Sequence, residues 1–132
     1  MKFFLLFGIL TCSAFSSEIS DTESFAAFVR GDMKNAFPYL LKTCERDNSP
    51  LSCDALAGCY YDGDGVDKNL TKAVQLFERA CDKNYGPSCY YAAGMYYRGE
   101  GVEKNFERVK QLIEHSCLLQ FDQACELINK KN

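Results

Sequence analysis

The stretch CYYDGDGVDKN, residues 59–69, returns almost unchanged as MYYRGEGVEKN, residues 95–105. The two copies lie 36 residues apart, and the same offset relates six pairs of identical residues. The pairs are Cys53 and Cys89, Tyr60 and Tyr96, Gly65 and Gly101, Asn69 and Asn105, Cys81 and Cys117, and Cys89 and Cys125. A period of this length is typical of stacked structural units, none of which can bury its apolar face alone.

Each copy contains two runs of apolar residues at the spacing of an amphipathic helix. In the first copy the runs are Ala55, Leu56, Cys59 and Tyr60, then Ala73, Leu76, Phe77 and Ala80. Gly63 and Gly65 follow the first run and allow the backbone conformations that end a helix. Asn69 stands where its side chain can cap the next helix. Each copy therefore predicts a helix-turn-helix unit.

The repeat predicts an all-α fold, a right-handed αα solenoid of disulfide-linked helix-turn-helix units. The length of 132 residues and the hydrophobic content of 47% are those of one globular domain. Upstream, GDMKNAFPYLLKTC, residues 31–44, is similar to a second helix of the repeat. The predicted solenoid domain spans residues 18–132, with a degenerate repeat at 20–49, full repeats at 50–85 and 86–121, and a terminal helix at 121–131.

The first 17 residues, MKFFLLFGILTCSAFSS, have the pattern of a secretory signal peptide. One lysine precedes an apolar run from Phe3 to Leu10, and Ala14 and Ser16 suit a cleavage site. The run is too short to cross a bilayer, which takes about 20 residues. We therefore expect a secreted protein, periplasmic or extracellular, without a membrane span. The alternative is a lipoprotein anchored through Cys12.

The charge of the chain argues against nucleic acid as a partner. Without Lys2 and the rest of the signal peptide, 14 basic residues stand against 18 acidic residues. Nucleic-acid binding requires a concentrated basic surface. We therefore expect no nucleic-acid partner.

Seven cysteines remain after the signal peptide, and export favours disulfides over metal binding. In three cases one cysteine ends the second helix of a repeat, and another begins the next repeat eight or nine positions further on. A short loop returns the chain antiparallel there and can bring the two Cα atoms within about 7 Å. The predicted disulfides are Cys44–Cys53, Cys81–Cys89 and Cys117–Cys125.

Cys59 has no partner in this pairing. It occupies the position of Met95 in the next copy, which favours a buried apolar role for a free thiol. The alternative is a reactive thiol or an intermolecular bridge. We therefore expect a monomer, with a Cys59-linked dimer as the other outcome.

No catalytic or metal site is visible in the sequence. A serine β-lactamase has a Lys three residues after its nucleophilic Ser, and no serine of this chain has one. The single histidine, His115, takes the place of Arg79 in the preceding copy, which predicts a surface position, with a catalytic base as the alternative. With a single histidine and with cysteines expected to be oxidised after export, we expect no Cys/His zinc site. We expect no metal and no cofactor, and the question of enzymatic activity stays open.

Three motifs resemble a known family, namely LAGCY at residues 56–60, GDGV at residues 63–66 and KAVQLFERAC at residues 72–81. The chain is similar to Sel-one-like repeat proteins, and its cysteine pair at each repeat junction resembles the Helicobacter cysteine-rich protein family. That family usually has Gly where this chain has Ala57 and Ala93, so we expect slightly different helix contacts there. The resemblance implies a secreted αα solenoid with a concave ligand-binding face.

Tyrosines are frequent in the first helices of the repeats, which form the concave face. Tyr61, Tyr90 and Tyr97 are the candidate ligand-binding residues, because tyrosine offers apolar area and a hydroxyl at low entropy cost. The alternative is that they belong to the core. We expect an interaction module that binds a peptide, a protein or a peptidoglycan fragment in its groove without chemistry. Members of the family are also commonly described as penicillin-binding proteins or β-lactamases, so the resemblance implies weak β-lactam binding or hydrolysis as the alternative.

Overall fold

The computed structural model describes residues 22–130, which form seven helices and no strand. The helices are α1 at residues 22–29, α2 (Met33–Glu45), α3 (Pro50–Asp62), α4 (Leu70–Asp82), α5 (Gly86–Arg98), α6 (Phe106–Leu118) and α7 (Asp122–Asn129). Helices α2 to α6 each contain 13 residues, as repetition of one unit requires. The predicted signal peptide, residues 1–17, and the candidate anchor Cys12 lie outside the described residues.

From α2 to α7, each helix packs on the next one along the chain. The core between them contains many alanines and cysteines, and Leu40, Leu56 and Met95 are its largest fully buried apolar side chains. The predicted all-α αα solenoid is confirmed. Among residues 22–130, no helix combines the length and the hydropathy needed to cross a bilayer.

The residues predicted to cap the helices do so in both full repeats: asparagines cap the start of the second helices, and glycines end the first helices. The side-chain oxygens of Asn69 and Asn105 each accept a 3.0 Å hydrogen bond from the backbone N–H three residues later, at the start of α4 and α6. Gly63 and Gly99 end α3 and α5 in the left-handed region, with φ of 70° and 68°. These local interactions satisfy backbone groups that the helix itself leaves unpaired.

The second glycine of each G-x-G motif has a different role, because it allows contact between repeats. Gly65 has φ of 76°, and a β-carbon on it would lie 2.7 Å from the Cα of Lys34. At Gly101 the corresponding β-carbon would lie 2.6 Å from the backbone nitrogen of Thr71. Each of these loops therefore lies against the start of the second helix of the preceding repeat, and any side chain would force the two apart.

Three disulfides hold the seams between consecutive repeats. The bonds are Cys44–Cys53, Cys81–Cys89 and Cys117–Cys125, with Cα–Cα distances of 4.8, 4.7 and 4.7 Å. Each bond links the last turn of a second helix to the first turn of the next first helix. Closing a loop of this size stabilises the fold by about 2.5 kcal/mol in the chain-entropy account.

Cys59 is the free cysteine of the described residues, and it is 2% exposed. Burial raises the pKa of its thiol above the ordinary value, and the charges of Asp64 and Asp62 raise it further. Thiol–disulfide exchange requires an accessible thiolate. The surroundings of Cys59 therefore disfavour an intermolecular bridge, and they suit the apolar role that Met95 has in the next repeat.

Candidate ligand-binding groove

A cavity of about 420 Å³ lies between α3 and α5, the first helices of successive repeats. Its lining includes Ala55, Gly58 and Tyr61 from α3, Tyr91, Met95 and Arg98 from α5, and Phe77 from α4. A cavity of this size can hold a small molecule or the side chains of a short peptide.

A second cavity, of about 270 Å³, lies next to the first on α3. It reaches Gly31 and Met33 near the start of α2, and it shares Ala55, Gly58 and Asp62 with the first cavity. A β-carbon added at Gly58 would meet no atom within 4 Å. The two cavities are adjacent on α3, and we call them together the α3 groove.

Asp54 places a partly buried carboxyl group at the α3 groove. The hydroxyl of Ser88 donates a 2.5 Å hydrogen bond to its Oδ1. Burial raises the pKa of Asp54 above its ordinary value, and the hydrogen bond from Ser88 opposes this shift. Partial burial therefore makes ionisation of Asp54 less favourable in the folded protein than in water.

Arg98 supplies a positive charge on the α5 side of the groove. Its guanidinium lies beside Gly94, where an added β-carbon would be 3.1 Å from a terminal nitrogen of Arg98. Glu100 Oε2 lies 3.1 Å from Arg98 Nη2 and accepts a 2.9 Å hydrogen bond from the hydroxyl of Tyr61. The hydrogen bond from Arg98 lowers the pKa of Glu100. The three side chains thus link the two walls of the groove.

Tyr91 provides the exposed aromatic surface of the cavity. Its ring centroid lies 5.4 Å from that of Phe77 and 6.1 Å from that of Tyr90. The side chain nevertheless remains 46% exposed. Packed rings hold Tyr91 in place, so a ligand can use its apolar face and its hydroxyl with little loss of side-chain entropy.

The three tyrosines predicted from the sequence lie in different places. Tyr61 lines the α3 groove, whereas Tyr90 and Tyr97 line neither of its cavities. The ring of Tyr90 packs on Phe121, with centroids 5.4 Å apart. Tyr97, which holds the position of Tyr61 one repeat later, packs on Phe106 at 5.8 Å and is 59% exposed. Ligand contact through Tyr90 or Tyr97 would therefore take place outside the α3 groove.

Asp54, Tyr91 and Arg98 are groove residues that the sequence reasoning missed. The signal for Asp54 is its spacing, because it precedes Tyr61 by seven residues, two helical turns, and thus shares its face of α3. Tyr91 follows the groove residue Ala55 by the repeat period of 36. The groove could have been traced by combining the helical period with the repeat period.

His115, predicted at the surface, is only partly exposed there and packs against a disulfide. His115 is partly buried, and its Nδ1 lies 3.6 Å from Cys81 Sγ and 3.9 Å from Cys89 Sγ. Its counterpart Arg79 has a longer side chain that reaches Asn48 Oδ1, at 2.6 Å. The shorter imidazole instead packs against the disulfide. His115 and Arg79 thus occupy equivalent positions in the repeat, but their side chains have different neighbours.

The two fully buried serines have structural partners. Ser88 and Ser116 are both 0% exposed. Ser88 donates to Asp54, and Ser116 donates a 2.8 Å hydrogen bond to the carbonyl oxygen of Gly86. A nucleophilic serine must be open to its substrate. These two hydroxyls instead join neighbouring helices.

These features define a disulfide-linked αα repeat protein with a ligand-sized groove on the first helices of its repeats. The profile of the Sel1 repeat family matches residues 50–85 and 86–108. The solved structure of Helicobacter pylori cysteine rich protein B, HcpB, is similar at 36% sequence identity and a TM-score of 0.67, covering 69% of this chain and 68% of that one. The chain belongs to the Sel1-repeat family of cysteine-rich proteins that HcpB represents.

Further relatives share parts of this architecture. The Helicobacter pylori protein named "Putative beta-lactamase HcpD" is 34% identical over 74 residues, which cover 53% of this chain and 24% of HcpD. The match therefore spans about a quarter of the length of HcpD.

Two other solved structures show the same fold. A protective antigen of uropathogenic Escherichia coli strains with an SLR fold has a TM-score of 0.71 at 23% identity, covering 80% of this chain and 23% of that one. A Sel1 repeat protein from Oxalobacter formigenes has a TM-score of 0.71 at 19% identity, covering 80% and 44%.

Proposed function

We propose that this protein is an extracytoplasmic interaction module that binds an extended peptide, or the peptide part of a cell-wall fragment, in the α3 groove. The observation that carries the proposal is the pair of adjacent cavities on α3, which share three lining residues. A groove longer than one pocket suits a chain-like ligand better than a compact one. The three disulfides support the extracytoplasmic location.

The chemistry of the groove suits a peptide. Tyr91 offers an aromatic surface for an apolar side chain. Asp54 offers acceptors for backbone N–H groups or an amine, and Arg98 offers donors for a carbonyl or carboxylate. An extended peptide carries all of these partner groups at short intervals, so it can engage both walls at once.

Asp54 supplies an energetic argument for ligand binding. Burial destabilises the ionised carboxylate of Asp54, although an Asn at this position could accept the same hydrogen bond from Ser88. Groups that lower stability are common where a protein binds or reacts. The position of Asp54 is therefore easier to explain as part of a binding site than as part of the scaffold.

The test uses one glycine and two variants. Gly58→Trp would fill the groove, whereas Gly58→Ala leaves it nearly unchanged, and both side chains start from a β-carbon with free space around it. Binding of an arrayed library of random decapeptides and of soluble peptidoglycan stem peptides would be measured for the oxidised protein. We expect saturable binding that Gly58→Ala retains and Gly58→Trp abolishes. Equal binding by both variants would place the ligand elsewhere.

β-Lactam binding or hydrolysis is the second candidate, and its support is the name of HcpD. Ser88 and Ser116 are unsuited to form an acyl-enzyme, because neither has exposed surface. Turnover of a chromogenic cephalosporin by the oxidised protein, lost in Gly58→Trp and kept in Gly58→Ala, would favour this candidate over peptide binding.

A further inference from the structure

The seam between α4 and α5 differs from the other two seams in having a histidine beside its disulfide. His115 Nδ1 approaches both sulfurs of the Cys81–Cys89 bond, at 3.6 and 3.9 Å. His115 is the single histidine of the chain, so the Cys44–Cys53 and Cys117–Cys125 bonds have no imidazole. The repeat itself does not require one, because the preceding copy has Arg79 at this position.

The two sulfurs and His115 Nδ1 are spaced nearly as three zinc ligands would be, except that the two sulfurs are bonded to each other. In a tetrahedral zinc site, bond lengths of about 2.3 Å to sulfur and about 2.0 Å to nitrogen set the sulfur–nitrogen separation at about 3.5 Å. The observed separations of 3.6 and 3.9 Å are already close to this value. To bind a metal, the sulfur–sulfur bond must be broken and the two sulfurs must move to a separation of about 3.8 Å.

We propose that the reduced form of this seam binds Zn²⁺ through the thiolates of Cys81 and Cys89 and through His115 Nδ1, with solvent as the fourth ligand. A dithiol reductant gives two electrons and two protons to the disulfide, becomes a disulfide itself and leaves two cysteine thiols. Zinc then displaces both thiol protons and binds the two thiolates. The side of the site near His115 is only partly buried, which leaves room for the solvent ligand.

The metal would cross-link the seam in place of the disulfide, and it would join one more helix than the disulfide does. The Cys81–Cys89 bond joins α4 to α5, whereas a metal held also by His115 would join α4, α5 and α6. Two buried cysteines and a partly buried imidazole form a preorganised set, because their three helices already pack together. The seam would thus stay cross-linked in both redox states.

The test follows the alkylation of each cysteine in the full chain. The protein is reduced with a phosphine, incubated with or without ZnCl₂, treated with iodoacetamide and mapped by peptide mass spectrometry. We expect zinc to slow alkylation of Cys81 and Cys89 and to leave the rates at the other two pairs unchanged. Native mass spectrometry should find one zinc per chain. The two seams without histidine are internal controls.

Two variants test the imidazole. His115→Ala should lose the zinc-dependent protection of Cys81 and Cys89, and His115→Cys, which restores a metal ligand, should regain it. Circular dichroism of each reduced sample reports the fold. The proposal is overturned if His115→Ala is protected like the wild type, if zinc protects all three pairs alike or none, or if the reduced chain has lost its helices.

Discussion

Gly101 lies so close to the start of α4 that a β-carbon on it would be 2.6 Å from the backbone nitrogen of Thr71. The corresponding glycine of the preceding repeat, Gly65, has the same relationship to Lys34 at the start of α2. The contact joins the loop of one repeat to the second helix of the previous one. Since it involves backbone on both sides, neither partner can move aside as a flexible side chain would.

Gly101→Ala should therefore destabilise the protein more than Gly99→Ala. Both substitutions place a β-carbon on a residue with φ of +68°, which costs about 1 kcal/mol. At Gly99 the new atom meets the flexible side chain of Lys104, whereas at Gly101 it meets backbone. We expect a total loss above about 3 kcal/mol for Gly101→Ala. Urea unfolding of the two variants measures the difference, and equal losses would contradict the assigned contact.

Glu78 should couple energetically to Arg108. Its Oε1 accepts hydrogen bonds from Arg108 Nη2 at 2.9 Å and from Tyr96 Oη at 3.2 Å, so α4, α5 and α6 meet at one carboxylate. A double-mutant cycle of Glu78→Ala and Arg108→Ala should give a coupling energy of about 1 kcal/mol that decreases with added salt, since both side chains are partly exposed. Additive effects of the two substitutions would show that the ion pair contributes nothing.

Asp54→Asn should make the protein more stable at neutral pH. Burial raises the folded-state pKa of Asp54, so the folded protein binds this proton more tightly than the unfolded chain does. The stability of the wild type relative to Asp54→Asn should therefore rise as the pH falls through the folded-state pKa, and become constant below the unfolded-state value of about 3.9. Urea unfolding from pH about 7 to about 3.5 measures this trend.

The control for this prediction is Asp54→Ala, which removes the acceptor of the hydrogen bond from Ser88. It should be less stable than Asp54→Asn at every pH, because a buried hydroxyl loses its partner. A stability difference between wild type and Asp54→Asn that does not change with pH would contradict the raised pKa.

The Cys117–Cys125 bond should be reduced first under limiting dithiothreitol. Its two cysteines are partly buried, whereas the four cysteines of the other bonds are at most 1% exposed. Thiol–disulfide exchange requires access of the attacking thiolate to a sulfur. Timed alkylation and peptide mapping give the order. In a denaturant that unfolds the chain the three bonds should react at similar rates, and a similar rate in the native protein would contradict protection by burial.

The sequence by itself determined the helices, their caps and which cysteines are neighbours along the seams. These features are local or follow from the repeat period. Asn69 caps α4 through the backbone three residues away, and Cys81 and Cys89 are separated by one short loop. Interactions over so few residues depend little on the rest of the fold, so spacing alone predicts them.

Only the tertiary structure decided which side chains meet across repeats. Tyr61 and Glu100 are 39 residues apart and bond across the groove, and His115 reaches a disulfide that its counterpart Arg79 gave no reason to expect. Such contacts depend on side-chain length, rotamer and the angle between packed helices, none of which the period specifies. Repeats with equivalent backbones therefore differ in their side-chain contacts, and side chains that differ between repeats line the groove.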